Sequence, residues 1–547
     1  MFWYARDCSL PLTSRRGFLK MVAGGCGIAV ADALSSLGFA AASPNQNQLI
    51  VGDYFTVKTL DPGRTLEILS WEINHATYDS LVTFAGEDLK TPRPSLATKW
   101  EVSPDGRTYT FTLRPGVKFA SGNPLSSADV KWTLDRVKNL KSNPTFFLDG
   151  VDEVQAPNPA TVVIQLSEPK PSIIPRLASP SLAPLDSKEL VANGGDAGPD
   201  AKTKDAAESY LNAHTPGTGA FVLESYTPNQ EAVLRRNPNH WRKPSQLDRV
   251  VIRNIPEPQT ERYQVARGEL DVATGLTDPQ AQALSGSQNI TVRSSPSATS
   301  FYILMNQDPS LGGPFSNPKV QQAVRYAIDY QGLMQIAGRG AVRLAGLIPT
   351  NFPGALNPRE ASKTDLPRAR ALLKEANLGE IQGKISYASG WIRMGVQMDL
   401  VVQKIQADLA TVGIKLDLYG LALPTALQQY RDGKNQVGVW AYAADYADAD
   451  DYLVFLPGRN VGKRVHWPEN ASQPAQELSK LGQQAESESD PRKRTELFQR
   501  VERMLAQVGP YVGLFQPAIP YAYQSAMSGV TFNSVWGLDL YAISRSR

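Results

Sequence analysis

Cysteine is almost missing from this chain of 547 residues, and the two present, Cys8 and Cys26, both fall in the first 42 positions. The remainder holds no thiol, which excludes a disulfide framework, a thiolate-bound metal and a cysteine nucleophile there. Histidine is nearly as scarce. His75, His214, His240 and His466 are scattered, with no HExxH and no paired ligand spacing. Beyond residue 43 no apolar run approaches the roughly 18 residues that a membrane span requires. One-sided charge is missing too. The formal net charge is +3, and residues 1–42 account for +2 of it through Arg6, Arg15, Arg16 and Lys20 against Asp7 and Asp32. That leaves no concentrated basic face for nucleic acid. There is no G-x-S-x-G elbow, and Gly338-Arg339-Gly340 is a lone glycine pair without a phosphate-loop pattern. No cofactor, metal or catalytic centre is expected.

The N-terminus reads as an address. Ser14-Arg15-Arg16-Gly17-Phe18-Leu19-Lys20 matches a twin-arginine export signal, followed by a weakly apolar segment over residues 21–42 interrupted by Asp32. Such a segment is poor as a permanent span, because a central charge is costly in a bilayer. Phe39-Ala40-Ala41-Ala42 offers small residues for cleavage, so a mature chain starting near Ser43 is expected in the periplasm. Ala23-Gly24-Gly25-Cys26 is a weaker alternative, a lipoprotein-like box with Ala23 where Leu is usual.

The length predicts two or three domains. Residues 95–137 hold the densest local pattern. Ser103-Pro104-Asp105-Gly106 is a turn; Tyr109, Phe111 and Leu113 alternate with threonines as a half-buried strand; Pro115-Gly116 breaks it. Ser126 or Ser127 can cap a helix with Val130, Leu134 and Val137 on one face. Strands are expected over residues 220–224, 232–236 and 248–255, and a helix over 260–270 with Tyr263 and Val265 inward. From residue 317 the rhythm becomes α/β. A strand over 384–388, a helix over 396–412 with Leu400, Val401, Ile405 and Leu409 inward, and a strand over 414–418 make a βαβ crossover, hence a parallel sheet. A further strand follows over 436–441.

The block at 95–137 resembles the signature of the large extracytoplasmic solute-binding proteins of the peptide/nickel class, family 5, which serve ABC importers. Gly217-Thr218-Gly219-Ala220-Phe221 and Asn237-Pro238-Asn239-His240-Trp241 resemble a second block of that family. The resemblance implies an α/β, two-lobed periplasmic-binding-protein fold with an extra subdomain and a two-strand hinge. The expected division is a β-rich first lobe over residues 43–312 with the subdomain at about 95–215, a smaller second lobe over 313–515, and a return to the first lobe over 516–547. It also implies a monomer that binds a peptide or peptide-like solute by lobe closure and delivers it to a permease and ATPase. An oligosaccharide, an opine or a metal chelate on the same scaffold, or a periplasmic peptidase, remain the other readings.

Ligands of open α/β sheets bind beyond the carboxyl ends of the strands. Two loops meet that condition, residues 389–394 with Trp391 and Arg393, and residues 443–448 with Asp445, just past Trp440 and Tyr442. An arginine and an aspartate on one rim suit a zwitterion. The run from Trp440 to Leu453 is similar to the peptide-binding members, in which the acid matching Asp445 holds the ligand amine. Their arginine for the ligand carboxylate aligns with Ile392, one place before Arg393. Asp445 could instead cap a turn, and Trp440 could be core. Asp448, Asp450 and Asp451 lack the glycine and terminal glutamate of a calcium loop and read as a polar turn. Tyr54 and Phe55, after the first strand, are candidate cleft residues of the first lobe.

Overall fold

The computed structural model describes residues 47–55 and 57–546. The export motif, its cleavage site and both cysteines lie outside them.

Three larger sheets organise the chain. The first has seven strands, in the order Ile290–Pro296, Ala518–Gln524, Val272–Ala273, Gln48–Asp53, Arg249–Asn254, Glu231–Arg236 and Phe221–Thr227. Gln48–Asp53 lies parallel to both its neighbours, so their carboxyl ends share one edge. The second is a four-stranded antiparallel sheet, Ala97–Val102, Thr108–Leu113, Thr161–Leu166 and Val151–Asn158, within the stretch expected to hold the extra subdomain. In Thr108–Leu113 the aromatic and aliphatic side chains are buried and the threonines half-buried, as period-two patterning dictates. Helix Ser127–Leu140 starts with a capping box between Ser126 and Asp129 and buries Val130, Leu134 and Val137.

The third sheet runs Val342–Arg343, Tyr511–Gln516, Thr299–Met305, Val437–Ala443, Ile381–Ala388 and Ile414–Leu421. Ile381–Ala388 is parallel to both Ile414–Leu421 and Val437–Ala443, so the crossover is present and the sheet is parallel there. Leu400, expected inward, is 46% exposed. Helix Met398–Ala410 instead packs through Val401, Val402, Ile405 and Leu409, and Leu400 sits about 100° round from Val401. Tyr263 is likewise 50% exposed, with Arg262 over its ring, because Glu261 and Val265 one turn apart supply the inward face.

The chain passes between the two large sheets at residues 297–298 and again at Pro517. Ser297 donates from N–H and Oγ to the Pro517 carbonyl, and Gln516 Nε2 donates to the Ser297 carbonyl, tying the crossings into a paired hinge. The first crossing lies ahead of residue 312, where the sequence placed the lobe boundary. Ile290–Pro296 runs almost directly into Thr299–Met305, so no long turn marks the passage.

Two close-packed features lie inside the first lobe. Arg136 is fully buried and bridges Asp61 (2.7 and 2.9 Å) to Asp205 (2.8 Å). Gly219 lies so close to the end of helix Ile68–Thr77 that a Cβ there would overlap the Thr77 backbone.

Candidate functional site

Because Ile381–Ala388 and Val437–Ala443 are parallel neighbours, the loops that follow them leave the same sheet edge. The first loop is pinned at its base. Ser389 Oγ and Gly390 N–H donate to the two oxygens of Asp399, in the first turn of the next helix (2.9 and 2.6 Å). It then forms a small hairpin, Ile392–Arg393 against Val396–Gln397, turning at Met394 (φ 49°) and Gly395 (φ 75°). Two positive φ values match a tight primed turn, where glycine is favoured. This hairpin spans the gap to the first lobe. A Cβ on Gly395 would lie 3.3 Å from the Leu276 carbonyl and from Pro520, and Met394 packs against the first-lobe core. Leu276 follows the carboxyl edge of the first sheet, so the two edges face each other.

Trp391 is half-buried and tilts against Trp440 with ring centroids 6.1 Å apart. Trp440 itself is 3% exposed and stacks on Tyr430 at 4.6 Å. It belongs to the core, the alternative foreseen for it. Tyr442 is half-buried with its ring edge-on to Tyr452 and Phe455. Tyr54 is 59% exposed at the end of the first strand, whereas Phe55 is 4% exposed inside the first-lobe core. Phe55 therefore does not reach the cleft; its backbone N–H is held by Asn254 Oδ1 and its ring turns inward.

The second loop brings four aspartates together, and three of them are engaged by the protein. Asp448 accepts a bidentate pair from Arg494 at 2.7 and 2.8 Å and caps the Asp450 N–H. Asp450 meets Arg176 at 3.4 Å; burial pushes its carboxyl up, but Arg176 and Arg494 override this and hold it below the ordinary range. Asp451 accepts from the Asp445 N–H (2.9 Å) and the Tyr442 hydroxyl (3.2 Å), and burial with the neighbouring Asp445 charge raises its pKa well above the usual value. Asp445 is different. Among the described residues its carboxylate accepts no hydrogen bond and forms no ion pair, and burial pushes its pKa up to about 6. Arg393 is the matching case of opposite sign: half-buried, without an ion pair among the described residues, its pKa lowered by burial.

Elsewhere, His75, Asp79, His240, Arg242 and Tyr541 line a concavity of about 510 Å³ in the first lobe. One of its acids is engaged: Asp79 accepts from Thr218, Trp241 and Arg242. Among the described residues no cluster of acids and histidines is arranged for a metal ion, and no helix is long and apolar enough to cross a membrane.

The family model described as bacterial extracellular solute-binding proteins, family 5, middle part, matches residues 91–462. The chain belongs to this family. The family 5 likeness extends beyond the matched stretch. The chain is 25% identical over 501 residues to the probable D,D-dipeptide-binding periplasmic protein DdpA of Escherichia coli K12, covering 89% of this chain and 92% of that one. It is 28% identical to the glutathione-binding protein GsiB of Salmonella typhi, covering 91% and 94%. Among solved structures, a dipeptide-binding protein from Pseudoalteromonas sp. SM9913 in complex with Met-Leu superposes with TM-score 0.76 at 21% identity, covering 91% of this chain and all of that one. HbpA2 of Haemophilus parasuis gives the same TM-score at 21% identity, covering 92% and 100%. The two-lobed fold is thereby shown. Sequence reasoning missed Arg176 and Arg494, which decide the state of the aspartate loop. Nothing local marks Arg176, which lies 274 positions from Asp450.

Proposed function

We propose that this family 5 protein is the substrate-binding component of an ABC importer, taking a peptide or peptide-like solute with a free amine from the periplasm. The carrying observation is the Asp445 carboxylate, placed at the carboxyl edge of the second-lobe sheet with no protein cation or donor on it. A half-buried carboxylate without a partner is costly, and a ligand ammonium supplies the missing charge-assisted bond. Arg393, on the hairpin spanning the cleft, offers the complementary guanidinium for the ligand carboxylate. Trp391 and Tyr442 supply flat apolar surface between the two charges, and Tyr54 faces solvent from the opposite lobe. Closing the lobes excludes water and strengthens each of these contacts. The names of DdpA, GsiB and the Met-Leu complex support a peptide-like solute. No bond is made or broken in this scheme. Export by the twin-arginine route rests on Arg15-Arg16 and its flanking residues, and a monomer is the state that the family resemblance implies.

Native-source protein, purified without refolding and examined by mass spectrometry for bound small molecules, tests the ligand class. A peptide or amine-bearing peptide derivative is expected; an oligosaccharide would overturn the reading. Calorimetry with dipeptides, free and N-acetylated, tests the anchor. Acetylation removes the ammonium and should abolish measurable binding, while equal affinities would remove Asp445 from the site.

A further inference from the structure

Arg176 ends the short helix Ile173–Arg176 of the first lobe, yet its side chain is spent on the second. It is 5% exposed. Nη2 donates to the Tyr446 hydroxyl at 2.8 Å and to Asp450 Oδ2 at 3.4 Å, and the guanidinium carbon stands 4.6 Å from the centre of the Tyr446 ring. Tyr446 is the residue after Asp445, and Asp450 precedes Asp451, which holds the Asp445 backbone. Phe147 of the first lobe packs edge-on to the same Tyr446 ring at 6.0 Å. Nearby, Lys170 of the first lobe pairs with Glu486 of the second at 3.0 Å.

We propose that Arg176 is a positioning residue that makes lobe closure and ordering of the Asp445 loop a single event; this rests on the reading that the cleft takes solute by closure. The argument is one of alternatives. An arginine that only braced its own lobe would find its partners there. Its first-lobe acidic neighbour, Asp149, is exposed and forms no ion pair with it among the described residues. Nε and Nη1 of Arg176 are buried without a partner, so the residue tolerates unmet donors to keep the contacts across the cleft. When the lobes part, Arg176, Tyr446 and Asp450 are all returned to water, and the loop loses the contacts on one side of its turn. Arg494, on the second lobe, remains on Asp448 in either state. The loop thus has a permanent clamp and a conditional one, and Asp445 lies beside the conditional one.

The test uses the absence of thiols beyond residue 43. Dyes on Glu101→Cys and Lys415→Cys, exposed sites on the first and second lobes, report lobe separation by single-molecule energy transfer in ligand-free protein. Arg176→Met is expected to lower the closed-to-open ratio at least tenfold, because it removes the one guanidinium in contact with Asp450 and leaves only the Arg494 charge to offset its burial when the lobes are together. Adding Asp450→Asn should restore part of that ratio. Tyr446→Phe, which deletes only the accepting hydroxyl, should move the ratio in the same direction by less and serves if Arg176→Met does not fold. Equal distributions in wild type and variants, including all of them open, overturn the proposal. Since no ligand enters the measurement, the result stands whether or not peptides bind.

Discussion

Replacing Asp445 by Asn should make the protein more stable and a poorer binder at once. The carboxyl titrates at about 6 in the fold, against the ordinary 3.8, and burial is the cause. That difference corresponds to about 3 kcal/mol of unfavourable ionisation at neutral pH. The direction follows from the raised value: between the two values the folded state holds a proton that the unfolded state has released. Stability attributable to this group therefore falls as pH rises from about 4 to about 6 and is flat above. Asn keeps the shape and removes the charge, so Asp445→Asn should gain about 1–3 kcal/mol over wild type near pH 7.5, and the gap should close near pH 4. The same change removes the anchor for an ammonium, which should cost about 2–5 kcal/mol of affinity, on the order of 30-fold to several thousandfold. Denaturant titrations at the two pH values and calorimetry with a free-amine dipeptide read both arms. A variant less stable than wild type near pH 7.5 would show that Asp445 has a structural partner and would refute the reasoning.

Other sites give independent tests. Arg136→Met leaves Asp61 and Asp205 with only the partly exposed Arg64, at 3.2 and 3.0 Å, to offset their buried charge, and should cost about 2–4 kcal/mol in urea unfolding; a loss under 1 kcal/mol would contradict the bridge reading. Gly219→Ala places a methyl group inside the Thr77 backbone and should lower stability by more than about 2 kcal/mol, read as a fall in melting temperature; an unchanged transition would mean the helix end moves freely. Glu502, buried and accepting the Leu347 and Ile348 N–H groups, has its pKa pushed up by burial to about 7. Its contribution to stability should fall as pH rises from about 4.5 to 7 and then level, and Glu502→Gln should flatten that slope; a variant with an unaltered slope would assign the pH dependence elsewhere.

Much of the fold was legible because it is written in short-range pattern. The turn, strand and capped helix between Ser103 and Leu140 follow from proline, glycine, period-two alternation and one capping serine, and they form as read. The βαβ unit across 381–421 follows from the same kind of local information. Errors arose where neighbours in space outvote spacing. Leu400 and Tyr263 are apolar enough for an inward face, but adjacent residues took it, and Phe55 stands beside an exposed Tyr54 with its own ring in the core. The lobe passage at 297–298 was missed for lack of a turn between one strand and the next.

The candidate site divides in the same way. Sequence alone determined the family 5 scaffold, the two loops on one sheet edge, and the presence of Asp445, Arg393, Trp391, Trp440 and Tyr442 on or beside them. Periodicity and turn chemistry act over a few residues, so they survive in the linear text. Which aspartate of the loop is free was decided only in three dimensions. Asp445 and Asp448 are alike by composition; they differ because Arg494 reaches Asp448 from 46 positions away, Arg176 reaches Asp450 from 274, and no such side chain reaches Asp445 among the described residues. A charge is functional or structural according to what stands opposite it, and that is a property of packing.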